Sequence, residues 1–212
     1  MNNHIVFTDG SCSNNGKVNA KAGIGVYFGQ NDPRNVSKRV IGKQTNNTAE
    51  LSAVIEVFTI LEDEIKSNDT IIIYTDSEYV IKCCGSYGLK SEKNNWKNKK
   101  GYIPNYELVK QIYELFKFNP NVSIKHIKAH TGLSDELSLG NEGADRLANI
   151  SIGLTECPSI KRDKIYLNVQ YSEKEVAKKY GAKWDKNKKK WYFTTQLSED
   201  NQNKLKSKFD SI

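Results

Sequence analysis

Thr70-Ile-Ile-Ile-Tyr-Thr-Asp-Ser-Glu-Tyr-Val-Ile-Lys-Cys83 decides the architecture. Its first six residues are a continuous β-branched and aromatic run with no polar alternation. That is the pattern of a strand covered on both faces, and such strands belong to sheets with helices on either side. Ser77 to Cys83 reads as a short helix directly after the strand. Toward the N-terminus, residues 4–9, 23–28 and 36–42 read as strands of an antiparallel meander, separated by the turn clusters Ser13-Asn-Asn-Gly16 and Gln30-Asn-Asp-Pro33. Leu51, Val54, Phe58, Leu61 and Ile65 then recur at helical steps, with Thr48 or Asn47 available as the cap and Glu50 in the first turn. Toward the C-terminus a polar stretch, residues 85–104, precedes a helix over 106–118 with Leu108, Ile112, Leu115 and Phe116 inward. A fifth strand over 122–129 leads into a loop with Gly132 and Gly140, and a helix opens near Asn141. Strands first, then alternating helix and strand, predict an α/β fold: a five-stranded mixed sheet flanked by helices.

The 212 residues suit one domain of average size plus a small module. Composition changes after Cys157-Pro158, so residues 1–155 are expected to form the first domain, 156–163 a linker and 164–212 the second. In the second, 164–170 reads as a strand, Ser172-Glu-Lys-Glu175 as a capping box opening a helix that Gly181 ends, 190–195 as another strand, and Ser198 as the cap of a last helix. That is a β-α-β-α module. The formal charge is +7, and residues 159–212 carry fourteen Lys plus Arg against seven Asp plus Glu, leaving eighteen of each sign in residues 1–158. A neutral domain with a basic appendage points to an anionic polymer as partner.

No apolar stretch approaches the ~20 residues of a membrane helix and no signal-peptide pattern opens the chain. The expectation is a soluble intracellular protein with no membrane partner, cytoplasm and nucleus not being distinguished. Cys12, Cys83, Cys84 and Cys157 lack CxxC spacing, and His4, His126 and His130 lack zinc-ligand spacing, which argues against a structural zinc or a disulfide framework. His4 and His126 fall within strand patterns and read as structural.

Four carboxylates stand in short polar motifs at element ends: Asp9 in Thr-Asp-Gly-Ser, Glu50 in Thr-Asn-Asn-Thr-Ala-Glu-Leu, Asp76 in Tyr-Thr-Asp-Ser and Asp145 in Asn-Glu-Gly-Ala-Asp-Arg-Leu-Ala. Taken singly, each is an ordinary turn, cap or first-turn acid. Converging acids repel one another unless a cation sits between them, so together they read as a metal site. In this order and with these neighbours they resemble the type 1 ribonuclease H family. The resemblance spans roughly the first three quarters of the chain and implies that family's five-stranded fold.

The resemblance also implies an endonuclease that hydrolyses the RNA strand of RNA/DNA hybrids, leaving 5′-phosphate and 3′-hydroxyl ends. Its cofactor would be two Mg²⁺ ions, with Mn²⁺ able to substitute. Two such ions ~3.5–4 Å apart lower the pKa of an attacking water and stabilise the departing 3′ oxygen. By resemblance Asp9 bridges the ions, Glu50 and Asp76 serve the leaving-group side, and Asp145 serves the ion that activates water. His130, in Lys-Ala-His-Thr-Gly, matches the family histidine that moves a proton toward the leaving oxygen or helps product depart. Here the segment after it contains Ser134-Asp-Glu-Leu-Ser-Leu139, a longer loop than typical members have. The rival readings are another nuclease on the same fold acting on DNA, and a protein that binds hybrids without cutting them.

Telling RNA from DNA requires contact with 2′-hydroxyls. By resemblance Cys12 and Asn15, with Glu50, line the RNA minor groove, Asn46 and Asn105 lie at the DNA side, and Lys43 with Thr45 hold a phosphate. Lys93-Asn-Asn-Trp96-Lys-Asn-Lys-Lys-Gly-Tyr102 interleaves aromatics with lysines and resembles a shortened form of the family's substrate-gripping protrusion, with Trp96 as its stacking ring. In the tail, the Gly181-Ala-Lys-Trp-Asp185 core is similar to a short domain of unsettled function found beside primases and relaxases. Lys183, Lys186, Lys188, Lys189 and Lys190 crowd one turn and suit a phosphate-binding edge. So small a core needs Trp184 and Trp191 inside. The module's partner is expected to be nucleic acid, with a docking protein as the competing role.

Overall fold

The computed structural model describes residues 2–128, 135–154, 164–185, 188–194, 197 and 199–209. Packing divides the chain into two compact units, Met1–Pro158 and Ser159–Ile212. The first contains β1 (Asn3–Ser13), β2 (Lys21–Tyr27), β3 (Val36–Arg39), α1 (Asn46–Ile60), α2 (Glu62–Lys66), β4 (Thr70–Thr75), α3 (Glu78–Cys84), α4 (Ser86–Lys93), the short β5 (Lys97–Asn98) and β6 (Gly101–Tyr102), α5 (Tyr106–Phe118), β7 (Val122–His126) and α6 (Glu136–Ser151). The sheet order is β3-β2-β1-β4-β7. β1, β2 and β3 pair antiparallel, while β4 runs parallel to both β1 and β7. This is the expected mixed sheet.

Strand residues alternate between faces, and here each face has its own helix. Val6 and Val26 pack with Leu51, Val54 and Val57 of α1, while Ala22 and Ile24 meet Ala49 and Ala53. On the opposite face Phe7 and Tyr27 pack against Ala144 of α6. Two glycines let these helices touch strand backbone. A Cβ on Gly10 would fall 2.3 Å from the Glu50 backbone nitrogen, and one on Gly25 would fall 2.0 Å from the Ala144 carbonyl oxygen. No side chain fits either contact.

The boundaries differ from expectation where side-chain chemistry outweighs periodicity. α1 is capped by Thr45, whose hydroxyl accepts from the Thr48 backbone while Thr48 answers to the Thr45 backbone. This reciprocal box starts the helix early, so Glu50 lies beyond the first turn. The polar stretch 85–104 holds α4 and a two-strand hairpin, because the chain reverses at Asn95 and Trp96, both in left-handed conformation, and the Trp96 ring is buried against Tyr106 and Tyr113. In α5 the fully inward residues are Val109, Ile112 and Tyr113, with Leu108, Leu115 and Phe116 at the margin. α6 opens at Glu136 because Asp135 accepts from the Ser138 backbone, so residues 136–140 of the expected loop are helical. Gly140 is helical, at a place where a Cβ would sit 2.3 Å from the Phe7 ring. β7 ends at His126, and Ala129, His130 and Gly132 lie outside the described residues.

The second unit contains β8 (Lys164–Leu167), a 3₁₀ turn (Tyr171–Glu173), α7 (Lys174–Lys179), β9 (Lys183–Asp185), β10 (Lys190–Thr194) and α8 (Glu199–Lys208), with an antiparallel sheet ordered β8-β10-β9. β9 is an addition to the expected β-α-β-α order. Ser172 caps nothing, since it lies within the 3₁₀ turn and Glu173 precedes α7 without a side-chain bond. Gly181, at φ +91°, ends α7 as expected. Trp191 is buried with Leu167, Phe193 and Leu205, whereas Trp184 at the sheet edge is 48% exposed. Cys157, Lys186, Ser198 and the linker 156–163 lie outside the described residues. Among the described residues no helix is long and apolar enough to cross a membrane.

Candidate active site

Asp9 stands opposite Gly25 in the β1–β2 register, on the face where α6 presses against Gly25 through Ala144. The next residue of α6 is Asp145, which therefore meets Asp9. β1 and β4 run parallel with Phe7 beside Tyr74, and two residues past that pair on each strand come Asp9 and Asp76. On the other face the close contact at Gly10 brings the start of α1, with Glu50, against the same strand. Four elements thus deliver four acids to one end of the sheet.

Neighbouring side chains orient Glu50, Asp76 and Asp145. The Asn46 amide donates to Glu50 Oε1 at 2.6 Å and the Ser77 hydroxyl donates to Glu50 Oε2. Asn141 donates to Asp76 Oδ2 at 3.1 Å. Asn149 donates to both the carbonyl and Oδ1 of Asp145, each at 2.9 Å, and accepts from the Ser11 hydroxyl at 2.8 Å. These partners, Ser11, Ser77, Asn141 and Asn149, were not singled out in the sequence. The signal available was helical spacing: Asn141, Asp145 and Asn149 stand four apart, a polar stripe on a helix face that is buried.

The site is short of positive charge. Burial holds the Asp9 carboxyl well above the usual carboxylate range, the charges of Asp76 and Asp145 push it further, and the Gly10 N–H at 2.8 Å opposes them. Glu50 is also raised, first by burial; the Ser77 hydrogen bond works against this, and Asp76 adds to it. No lysine or arginine among the described residues acts on either. Two unit charges 4 Å apart at an effective dielectric of ~20 repel by ~4 kcal/mol, so such a cluster calls for a counter-charge.

A hard divalent cation fits that need. Asp145 Oδ2 and Asn141 Oδ1 are buried without a hydrogen-bond partner. Asp9 and Asp145 face each other within hydrogen-bond reach, so one proton shared between them is what relieves the pair without a cation, whereas two ionised carboxylates only accept. Among the described residues no group of three or more histidine, cysteine, aspartate or glutamate side chains is arranged as it stands to hold a metal ion. The donor set is all oxygen, which suits a hard cation that retains waters better than a zinc held by thiolates and imidazoles.

The other predicted contacts fall in two places. Cys12 lies half-buried in β1, and its thiol donates to the Ser13 carbonyl at 3.6 Å. Exposed Asn15 accepts from the Asn46 backbone at 3.3 Å, so Asn15, Asn46 and Glu50 form a continuous rim. Thr45 is occupied as the α1 cap, and exposed Lys43 offers its carbonyl to Thr48. Across the site, Asn105 sits in left-handed conformation with its amide 3.3 Å from the Tyr79 hydroxyl. Trp96 corrects the expectation of a displayed stacking ring: at 8% exposure it anchors the core beneath the hairpin. The displayed ring is Tyr102, 59% exposed, stacked on Tyr106 at 4.4 Å with Lys97 above it at 5.1 Å.

The family model for RNase H matches residues 1–152. The chain belongs to the RNase H family. Ribonuclease H1 of Mus musculus is 37% identical over 145 residues, covering 68% of this chain and 48% of that one. Ribonuclease H of Schizosaccharomyces pombe is 39% identical over 146 residues, covering 68% and 51%. The chain thus spans about half the length of these curated relatives. Ribonuclease H of Clostridium botulinum is 34% identical over 151 residues and is covered over 95% of its length. The solution structure of the PFV RNase H domain matches 70% of this chain and 93% of its own, with TM-score 0.53 and 25% identity. Residues 164–206 match a domain of unknown function, DUF5710.

Proposed function

We propose that this RNase H family chain is an endonuclease that hydrolyses the RNA strand of RNA/DNA hybrids, with two Mg²⁺ ions as cofactor, Mn²⁺ able to replace them, and 5′-phosphate and 3′-hydroxyl products. The observation that carries the reading is the convergence of Asp9, Glu50, Asp76 and Asp145 at one sheet end, with no lysine or arginine among the described residues acting on Asp9 or Glu50. These four acids would hold the ions. When bound, such ions supply a lowered pKa for an attacking water and stabilise charge on the departing oxygen.

The chain's own part is orientation. Asn149 ties down Asp145 Oδ1 and leaves Oδ2 free toward the cluster, while Ser77 and Asn46 fix both oxygens of Glu50. Asn15 offers a short polar group to 2′-hydroxyls, together with Cys12 and Glu50, while Asn46 beside it lies toward the DNA strand. Tyr102 and Lys97 offer a ring and a charge to the sugar-phosphate backbone of the other strand, with Lys43 and Asn105 as further contacts. His130 enters from its place in the sequence as the group that moves a proton toward the leaving oxygen or helps product depart.

The test is digestion of an end-labelled duplex with a short ribonucleotide stretch in one strand, with and without Mg²⁺. The expected result is Mg²⁺-dependent cuts confined to the ribonucleotides and leaving 3′-hydroxyl ends. Cuts in the all-DNA segments would assign a DNA nuclease instead, and a gel shift of uncut hybrid would assign a binding protein.

A further inference from the structure

The second unit carries a sheet face that its own core does not use. Residues opposite one another in paired strands share a face. Leu167, Trp191 and Phe193 point to the side filled by Ala177 and Leu205. Tyr192 stands between Tyr166 on one side and Lys183 on the other, and Lys164 is two positions from Tyr166. These four residues therefore lie on the reverse face. The two tyrosine rings are half-buried and 5.9 Å apart. The ammonium of Lys164 sits 4.4 Å from the Tyr192 ring centre, and that of Lys188 lies 4.6 Å from the Tyr166 ring centre. Asp185 fixes this edge, accepting from Lys164 at 2.6 Å and from the Tyr166 hydroxyl at 2.9 Å. Lys183 and Lys190 are exposed beside it.

A core this small gains stability from each ring it buries, so placing two tyrosines on the open face forgoes apolar burial that the fold needs. Lysine is depleted at protein interfaces, which disfavours a docking protein. Flat rings flanked by lysines suit bases and phosphates, and only unpaired bases can reach such rings. The whole excess charge of +7 falls within residues 159–212. We propose that this face binds single-stranded nucleic acid, DNA or RNA, with bases stacked on Tyr166 and Tyr192 and phosphates held by Lys164, Lys183, Lys188 and Lys190.

The full chain, in EDTA, is titrated into fluorescent oligo-dT and oligo-U fifteen nucleotides long, and into polyphosphate of matched charge. Binding of either oligonucleotide in preference to polyphosphate is expected, and the comparison of the two assigns the sugar. Tyr192→Leu should weaken binding ~5- to 100-fold while Tyr192→Phe retains it. Replacing Lys183, Lys188 and Lys190 with glutamine should reduce the slope of log affinity against log salt by about 2. If Tyr192→Leu misfolds, amide shifts of the unaltered chain on adding oligo-dT decide instead, and they should fall in β8, β9 and β10. Equal binding of polyphosphate, unchanged affinity in a folded Tyr192→Leu, or shifts confined to Met1–Pro158 would overturn the proposal. Whether hybrid is cut at all depends on the first unit, and oligonucleotide binding in EDTA is read without cleavage, so either reading can fail alone.

Discussion

Asp145 is held by one residue that no short motif advertises. Asn149 spends its amide on the Asp145 carbonyl and Oδ1 and its oxygen on Ser11, joining α6 to β1 beside Asp9. Asn149→Leu keeps the volume but leaves the Ser11 hydroxyl and an Asp145 oxygen unpaired, which should cost about 1–3 kcal/mol of stability and lower the cleavage rate. Chemical denaturation and hybrid digestion of the variant check this, and unchanged values in both would remove Asn149 from the account. The four acids stood out because each lies in a distinctive short run, although Asp9 falls within β1 and Asp145 within α6 and not at their ends. Their partners were not, because single Asn and Ser residues are common in turns and acquire meaning only once a helix face is fixed.

Elements meet here through contacts with no room for a side chain. Gly10→Ala would drive a Cβ into the backbone of Ala49 and Glu50, atoms that cannot step aside cheaply. The expected cost is about 1–3 kcal/mol, with ~100-fold slower cleavage if α1 moves by ~1 Å. Parent-like melting and turnover in this variant would refute the packing argument. A second link ties the start of β1 to β4: Asp69 accepts from the Asn2 backbone at 2.8 Å, from the Asn2 amide and from His4, which together hold its carboxyl below the usual range. A folded-state value below the unfolded ~3.9 means stability fully present above that pH and lost as pH falls through the folded value. Asp69→Asn should therefore lower stability to urea at pH 7 and make little difference at pH 2. An equal gap at both would contradict the assignment. At this scale the sequence read well where apolar period was strong, in β4 and α5. It read poorly where one cap or one buried ring decided, as at Thr45, Asp135 and Trp96.

The whole molecule joins a neutral unit bearing an acidic cluster to a basic unit with its own small core. The division was visible as a shift of charge and composition, while the order of strands within each sheet, which brings Asp9 beside Asp76, was not deducible from local pattern. Truncation after Pro158 leaves the first unit's core whole. It should raise the Michaelis constant for hybrid and flatten its dependence on salt, and an unaltered salt slope would assign the basic unit another partner.

The claim beneath all of this is that crowded carboxylates await a divalent ion. It is tested most directly by calorimetric melting of the native chain and Asp9→Asn, each with and without Mg²⁺. The native chain should melt higher with Mg²⁺, because an ion that binds only the folded state stabilises it. Without metal Asp9→Asn should melt above the native chain, because a buried repulsive charge is gone, and Mg²⁺ should move it little. Equal Mg²⁺ shifts in both proteins, or no shift in either, would contradict the account.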